Sequence, residues 1–176
     1  RIAVYEWSGS GAQRLLLPWT VIDNDAQLDH VTAALRRTNR TAQDPATALG
    51  EAIMFGTTLL AGQSACWTRT LDISGDGLSN SGPRPQDIPR PSDATINALV
   101  IGADAPAHTD ARHVEIAELS SYFRAYVISG PDAFVETALG FEDYEAAMVR
   151  KLKRELQSPS LAGAPQSVQV ATRDVR

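Results

Sequence analysis

Residues 71 to 80, LDISGDGLSN, set two carboxylates four residues apart, Asp72 and Asp76. The hydroxyls of Ser74 and Ser79, the amide of Asn80 and two glycines, Gly75 and Gly77, stand around them. Such hard oxygen donors suit a divalent cation, a glycine-rich loop suits a phosphate, and the same residues also make turns that satisfy their own backbone. An EF-hand is excluded by the spacing. Asp72, Ser74, Asp76 and Gly77 match its first, third, fifth and sixth positions, but Pro83 stands at the twelfth, where a bidentate glutamate is required. A P-loop is excluded because no Gly-Lys-Ser or Gly-Lys-Thr occurs, and GDGLSN lacks the third glycine of a dinucleotide fingerprint. On composition alone the cation and the plain turn stay open.

Other reactive residue types form no catalytic set. Cys66 is the single cysteine, so no internal disulfide and no thiolate zinc cluster can form, and its apolar neighbours predict a buried, inert thiol at a strand edge. His30, His108 and His113 lack ligand spacing and read as surface histidines. Glu142 and Asp143 open a helix, where the helix dipole accounts for acids. With no serine elbow and no acid–base pair, the chain is expected not to be an enzyme.

The net charge of −5 argues against a nucleic-acid or anionic-membrane surface. Arg14, Arg36, Arg37 and Arg40 lack the interleaved aromatics of a nucleic-acid patch and read as a solvated helix end. No apolar run approaches the roughly 18 residues of a membrane span, and no signal peptide is visible.

The elements that must position the loop follow from periodicity. RIAVYEW and RLLLPWTVI read as strands of an antiparallel hairpin, the second at a sheet edge because Pro18 cannot donate to a ladder. NDAQLDHVTAALRR is a helix capped by Asn24 or Asp25. A second helix is expected to start with Asp44 as cap and Pro45 at its first position, and to stop at Gly62. WTRTLDIS and TINALVIG read as strands, the latter covered on both faces. PRPQDIPRP holds at best a short irregular helix. A helix over DARHVEIAELSSYF, a short strand at AYVIS, an extended GPDAFVET and a closing helix over FEDYEAAMVRKLKRELQ complete the pattern. Residues from 158 onward read as a tail. Strands alternating with helices predict an α/β, doubly wound, mostly parallel sheet with one antiparallel edge strand, whose ligands gather at the carboxyl ends of the strands.

The strand exit Ser-Gly-Asp-Gly at residues 74–77 resembles the Thr-Asp-Gly strand exit of von Willebrand factor A domains. More closely, IAVYEWSGSGAQRLLLPWTVI, PATALGEAI, LDISGDGLSNSG, TINALVIG, YFRAYVISGPDAFV and GFEDYEAAMVRKLKREL, in that order, resemble their bacterial, secreted and uncharacterised branch, the DUF1194 family. The likeness covers residues 1 to about 157 and implies an A-like domain followed by a tail over 158–176. It further implies a metal-ion-dependent adhesion site for Mg2+ or Mn2+, with Asp76 as third-loop ligand and Thr47 as second-loop ligand. Asp72 then braces the loop, and Ser74 stands behind the ligands. The Asp-x-Ser-x-Ser loop of A domains, and the first strand that carries it, are missing from these residues, so the domain reads as N-terminally incomplete, with its sheet in two pieces. A separate N-terminal fragment is the expected partner that completes the sheet, and the missing ligands are needed for a tight metal site. The implied function is adhesion-type binding of another protein through the ion, in the periplasm or outside the cell. The alternative is a structural subunit of a larger assembly without a functional metal, docking through PRPQDIPRP and the tail.

Overall fold

The computed structural model describes residues 1–39, 44–102 and 109–157. Arg40, His108 and the expected tail lie outside the described residues. The hairpin forms as expected: Ile2–Trp7 (β1) pairs antiparallel with Gln13–Thr20 (β2). Its turn passes through Gly11 at φ 71°, a left-handed conformation that glycine adopts without Cβ strain. The register slips between the Ile2–Thr20 and Val4–Leu17 pairs, beside exposed Pro18, which has no N–H to give the ladder. Helix Asp25–Arg36 (α1) follows, and Asn24 caps it by accepting the Gln27 amide at 2.9 Å.

The next helix, Leu49–Ala61 (α2), starts later than the Asp44–Pro45 signal predicts. Asp44 accepts the Ala46 amide at 2.9 Å in a local turn, and the amide of Thr47 donates to Asn80 at 2.7 Å. Those two amides would lack an intrahelical partner in any first turn. The Thr47 carbonyl, which a helix begun at Pro45 would offer to the amide four residues on, accepts Asn80 N and Ser81 N instead, and the helix begins only past Ala48. Its end at Gly62 is as expected.

Three parallel strands form the main sheet in the order Thr70–Gly75 (β3), Thr95–Ile101 (β4), Val135–Ala138 (β5). β4 lies between the other two, and every residue from Ile96 to Ile101 is buried, which explains its nearly unbroken apolar run. Helix Thr109–Tyr126 (α3) and helix Tyr144–Gln157 (α4) complete the described chain. The strand expected at AYVIS does not form. Ala125 and Tyr126 extend α3, Phe123 and Val127 bury their side chains in the core, and Ser129 makes only an isolated bridge to Ile96. The strand arises instead from Val135 onward, within the extended GPDAFVET.

Leu71 and Ile73 of β3, and Ile96, Ala98 and Val100 of β4, join α2 residues Leu49, Ala52, Ile53 and Leu60 in one core with Phe123 and Val127. On the other face, Leu99 and Ala138 pack against Ala147 of α4. The molecule is thus α/β, with a parallel sheet contacted by helices on both faces and a separate antiparallel pair.

Helix α2 reaches both sheets. Its start lies at the carboxyl ends of the strands, where Ala48 N–H donates to Ser8 at 2.8 Å. Its end lies at their amino ends, where the Leu59 carbonyl accepts the Trp19 indole at 3.2 Å and Arg1 donates to Gln63 at 3.1 Å. β1 therefore runs in the same direction as β3. Cys66 follows in a turn, half-buried and beside fully exposed Trp67, because β3 begins only at Thr70. The expectation of a buried strand-edge thiol is thus corrected.

The proline-rich segment forms a short 3-10 turn at Pro85–Asp87, with Pro85 and Ile88 buried. Just before it, the Pro83 carbonyl lies against Gly50 of α2 so closely that a Cβ there would overlap backbone. We expect Gly50→Ala to cost about 1–3 kcal/mol in urea unfolding, since backbone has no rotamer into which to retreat. An unchanged midpoint would show that this approach is looser than described.

Candidate functional site

The carboxyl edge of the sheet gathers three chain segments. β1 exits through Ser8 and Gly9, β3 exits into Asp76–Ser81, and the segment 44–48 runs between them into α2. Asp44 stands over Gly9, where it would meet any Cβ. Thr47 is clasped by the loop after β3. Its amide donates to Asn80 Oδ1 at 2.7 Å, and its carbonyl accepts Asn80 N at 3.0 Å, Ser81 N at 3.3 Å and Ser79 Oγ at 3.4 Å. The Thr47 hydroxyl lies 3.3 Å from the point a Cβ on Gly77 would occupy. Asp76, the residue before Gly77, is exposed just beyond β3.

Both expected ligands therefore stand at one edge. Among the described residues neither the Thr47 hydroxyl nor the Asp76 carboxylate is taken up by a protein hydrogen bond, so two hard oxygen donors are free for an ion that favours oxygen. They are a partial set. Among the described residues no group of three His, Cys, Asp or Glu side chains converges as a metal site would require. What fits is one carboxylate and one hydroxyl, with the remaining positions left to water or to oxygens from elsewhere.

Three further groups of this edge were not apparent from sequence. Ser8 is buried at the end of β1, and its hydroxyl has no hydrogen-bond partner among the described residues. Asn80 makes the clasp on Thr47, with an Asx-type side chain in a loop as the only sequence signal. Glu51, in the first turn of α2, accepts from Ser10 Oγ at 2.5 Å, Gly11 N at 2.7 Å and Gln13 Nε2 at 3.1 Å. Those bonds, led by the Ser10 hydroxyl, hold its carboxyl below the ordinary value.

Asp72 belongs to a different place. In a strand, alternate residues face opposite ways, so Asp72 points away from Leu71 and Ile73 and toward α4. There it pairs with Lys151, whose side chain is 0% exposed, and Lys151 also holds Glu155 at 2.6 Å. Asn97 donates to Glu155 at 2.8 Å and accepts the Phe134 amide at 3.1 Å, closing the network. Asp72 does point away from the loop edge, as expected, but its partner is a helix ammonium and not the loop. Ser74, by the same alternation, shares its face. His30 and His113 are exposed, and Asp143 pairs with Arg150 at 3.5 Å and accepts the Leu139 amide at 3.3 Å. Among the described residues no helix is long and apolar enough to cross a membrane.

A parallel three-stranded sheet with helices on both faces, a flanking hairpin and a polar carboxyl edge defines an α/β domain. A family model described as "Protein of unknown function (DUF1194)" matches residues 1–160, and the chain belongs to that DUF1194 family. No curated protein matches it, and no solved structure does.

Burial pushes the Asp72 carboxyl up from 3.8 to about 6, against the pull of Lys151 and with the help of Glu155. The folded state then holds this proton more tightly than the unfolded chain. Its contribution to stability is complete below the unfolded value and is lost as pH rises through about 6. We expect urea unfolding free energies to fall by on the order of 1–3 kcal/mol across that window, and Asp72→Asn to flatten the fall. A slope identical in wild type and Asp72→Asn would mean that another group is responsible.

Proposed function

We propose that the chain is a protein-binding module of adhesion type, related in fold to von Willebrand factor A domains, that engages another protein through Mg2+ or Mn2+ at the carboxyl edge of its sheet. The observation that carries this reading is the clasp of the Asp76 loop on Thr47, which brings a hydroxyl and a carboxylate to one edge, neither held by a protein hydrogen bond among the described residues. Thr47 would bind the ion through its hydroxyl and Asp76 through its carboxylate. The ion would supply an open coordination position for a carboxylate of the partner, since Mg2+ seldom fills its shell from one protein alone. Parallel β3–β4–β5, helices on both faces and an antiparallel outer strand, β2, support the finer reading of a doubly wound A-like sheet. The compartment we assign is the periplasm or the cell exterior, which the resemblance to the secreted branch of A-like domains implies.

A second reading is a structural subunit that uses no ion and docks through PRPQDIPRP, where Arg84, Gln86, Asp87 and Pro89 are exposed. Titration with Mn2+ separates the two. We expect Asp76→Ala and Thr47→Ala each to weaken Mn2+ binding by at least about tenfold, with Thr47→Ser retaining most of it because the hydroxyl survives. Mn2+ affinity equal in wild type and Asp76→Ala would sink the adhesion reading and leave the structural one.

A further inference from the structure

At the amino ends of the strands, away from the Thr47–Asp76 edge, a cavity of about 460 Å3 opens between the last turn of α2 and the chain entering β3 and β4. Leu60, Ala61, Pro91 and Ala94 supply apolar lining, and Arg69 and Asp93 form an ion pair on its wall. The Thr95 amide donates to the Arg69 carbonyl at 2.9 Å, which ties the two entering segments together beneath the pair. The pair is asymmetric. The Arg69 side chain is 14% exposed and that of Asp93 is 62% exposed. Among the described residues the Arg69 guanidinium donates to Asp93 alone, through Nη2. Arg14, Arg84 and Arg150 are all more exposed, yet each makes at least two hydrogen bonds. A guanidinium taken this far out of water is costly unless its donors are used, and its fork has room for a second carboxylate beside the first. The end of α2 adds a preference of the opposite sign. Helices α1, α3 and α4 carry Arg36, Arg124 and Arg154 in their last turns, whereas α2 has no basic residue there. Its terminal carbonyls bear partial negative charge and favour a cation.

We infer that this cavity binds a free α-amino acid with an apolar side chain. The ligand's carboxylate takes the unused donors of Arg69, and its ammonium faces Asp93 and the end of α2. Its side chain lies against Leu60, Ala61, Pro91 and Ala94. Three properties of the cavity select this class. The Arg69–Asp93 pair is neutral as a whole, so a ligand with one charge of each sign leaves the site balanced, where a simple anion or cation would leave a net charge in a partly enclosed place. The two protein charges are in direct contact, so the ligand charges that oppose them must also stand close together, as they do when both are borne on one carbon. The volume falls within the range of small-molecule sites and accommodates a side chain of leucine's size. This inference is independent of any ion at the carboxyl edge.

The test titrates the full chain with L-leucine in the presence of a chelator and follows backbone amide shifts by NMR. Saturable shifts are expected, with a Kd below about 1 mM, at the amides of Leu60, Ala61, Ser64, Arg69, Asp93 and Ala94. N-acetyl-leucine lacks the ammonium, leucinamide lacks the carboxylate, and δ-aminovalerate holds the two charges at opposite ends of its chain. Each should bind at least about tenfold more weakly than L-leucine. Arg69→Gln and Asp93→Asn should each weaken L-leucine by at least about tenfold. Ala61→Trp, at an exposed position of α2 that borders the cavity, should do the same by filling it, with the far-UV spectrum unchanged. No saturation by about 10 mM L-leucine, or saturable shifts confined to other residues, overturns the site. Equal affinity for L-leucine and the three analogues overturns the ligand class, as does unchanged affinity in Arg69→Gln and Asp93→Asn. The analogue series uses the unaltered chain, so it decides the class even where a substitution disturbs the fold.

Discussion

Two sheets that share no hydrogen bond lie side by side because one helix packs on both. α2 accepts the Tyr5 hydroxyl on its Ala52 carbonyl at 2.8 Å and the Trp19 indole on its Leu59 carbonyl, and its Leu49, Ala52, Ile53 and Leu60 form the core with β3 and β4. Each of these contacts requires the helix to lie close. Gly56 provides that closeness at the middle, where Leu71 and the Tyr5 hydroxyl converge, and Gly50 provides it at the start against Pro83. Tyr5 accordingly sits in a dry environment, and burial together with the nearby Asp72 charge raises its ionisation well above the ordinary range. The carboxyl edge inherits its arrangement from the same helix, since the segment entering α2 is the one that the β3 loop clasps.

The two polar systems of the molecule sit on opposite sides of this arrangement and obey different rules. At the edge, Thr47 has its backbone satisfied by Asn80, Ser79 and Ser81, and the clasp does not use its hydroxyl. Under α4, Lys151 is wholly enclosed and must be paired, because an isolated buried ammonium is costly. Two carboxylates, Asp72 and Glu155, share that one cation. Burial, with the Glu155 charge adding to it against the pull of Lys151, is why Asp72 holds its proton so firmly. A buried charge network of this kind fixes where α4 sits on the sheet.

Much of the fold was legible from residue patterns alone. The hairpin followed from alternating apolar runs around SGSGAQ, α1 from its Asn24 cap and spacing, and β4 from a run apolar on both faces. Thr47 and Asp76 were named for the edge, and both stand there. The errors share a cause. At Asp44–Pro45 and at AYVIS, local propensity lost to distant partners: Asn80 and Ser81 captured the Thr47 carbonyl, and the core captured Phe123 and Val127 for a longer α3. Cys66 and Trp67 looked like strand residues by composition, yet lie ahead of β3 because the ladder with β4 begins at Thr70.

By itself the sequence determined what depends on near neighbours: which segments alternate, where glycine and asparagine permit turns and caps, and that LDISGDGLSN leaves a strand for a polar loop. Those outcomes rest on backbone sterics and short-range hydrogen bonds, which each segment carries with it. Only the tertiary structure decided how the two aspartates of that stretch divide. Four residues of a strand and its exit send Asp72 under α4 to a lysine 79 residues away and leave Asp76 at the edge, in the loop that clasps Thr47. Local spacing cannot make that choice, because it depends on which face of β3 a helix covers and which end of it a loop can clasp.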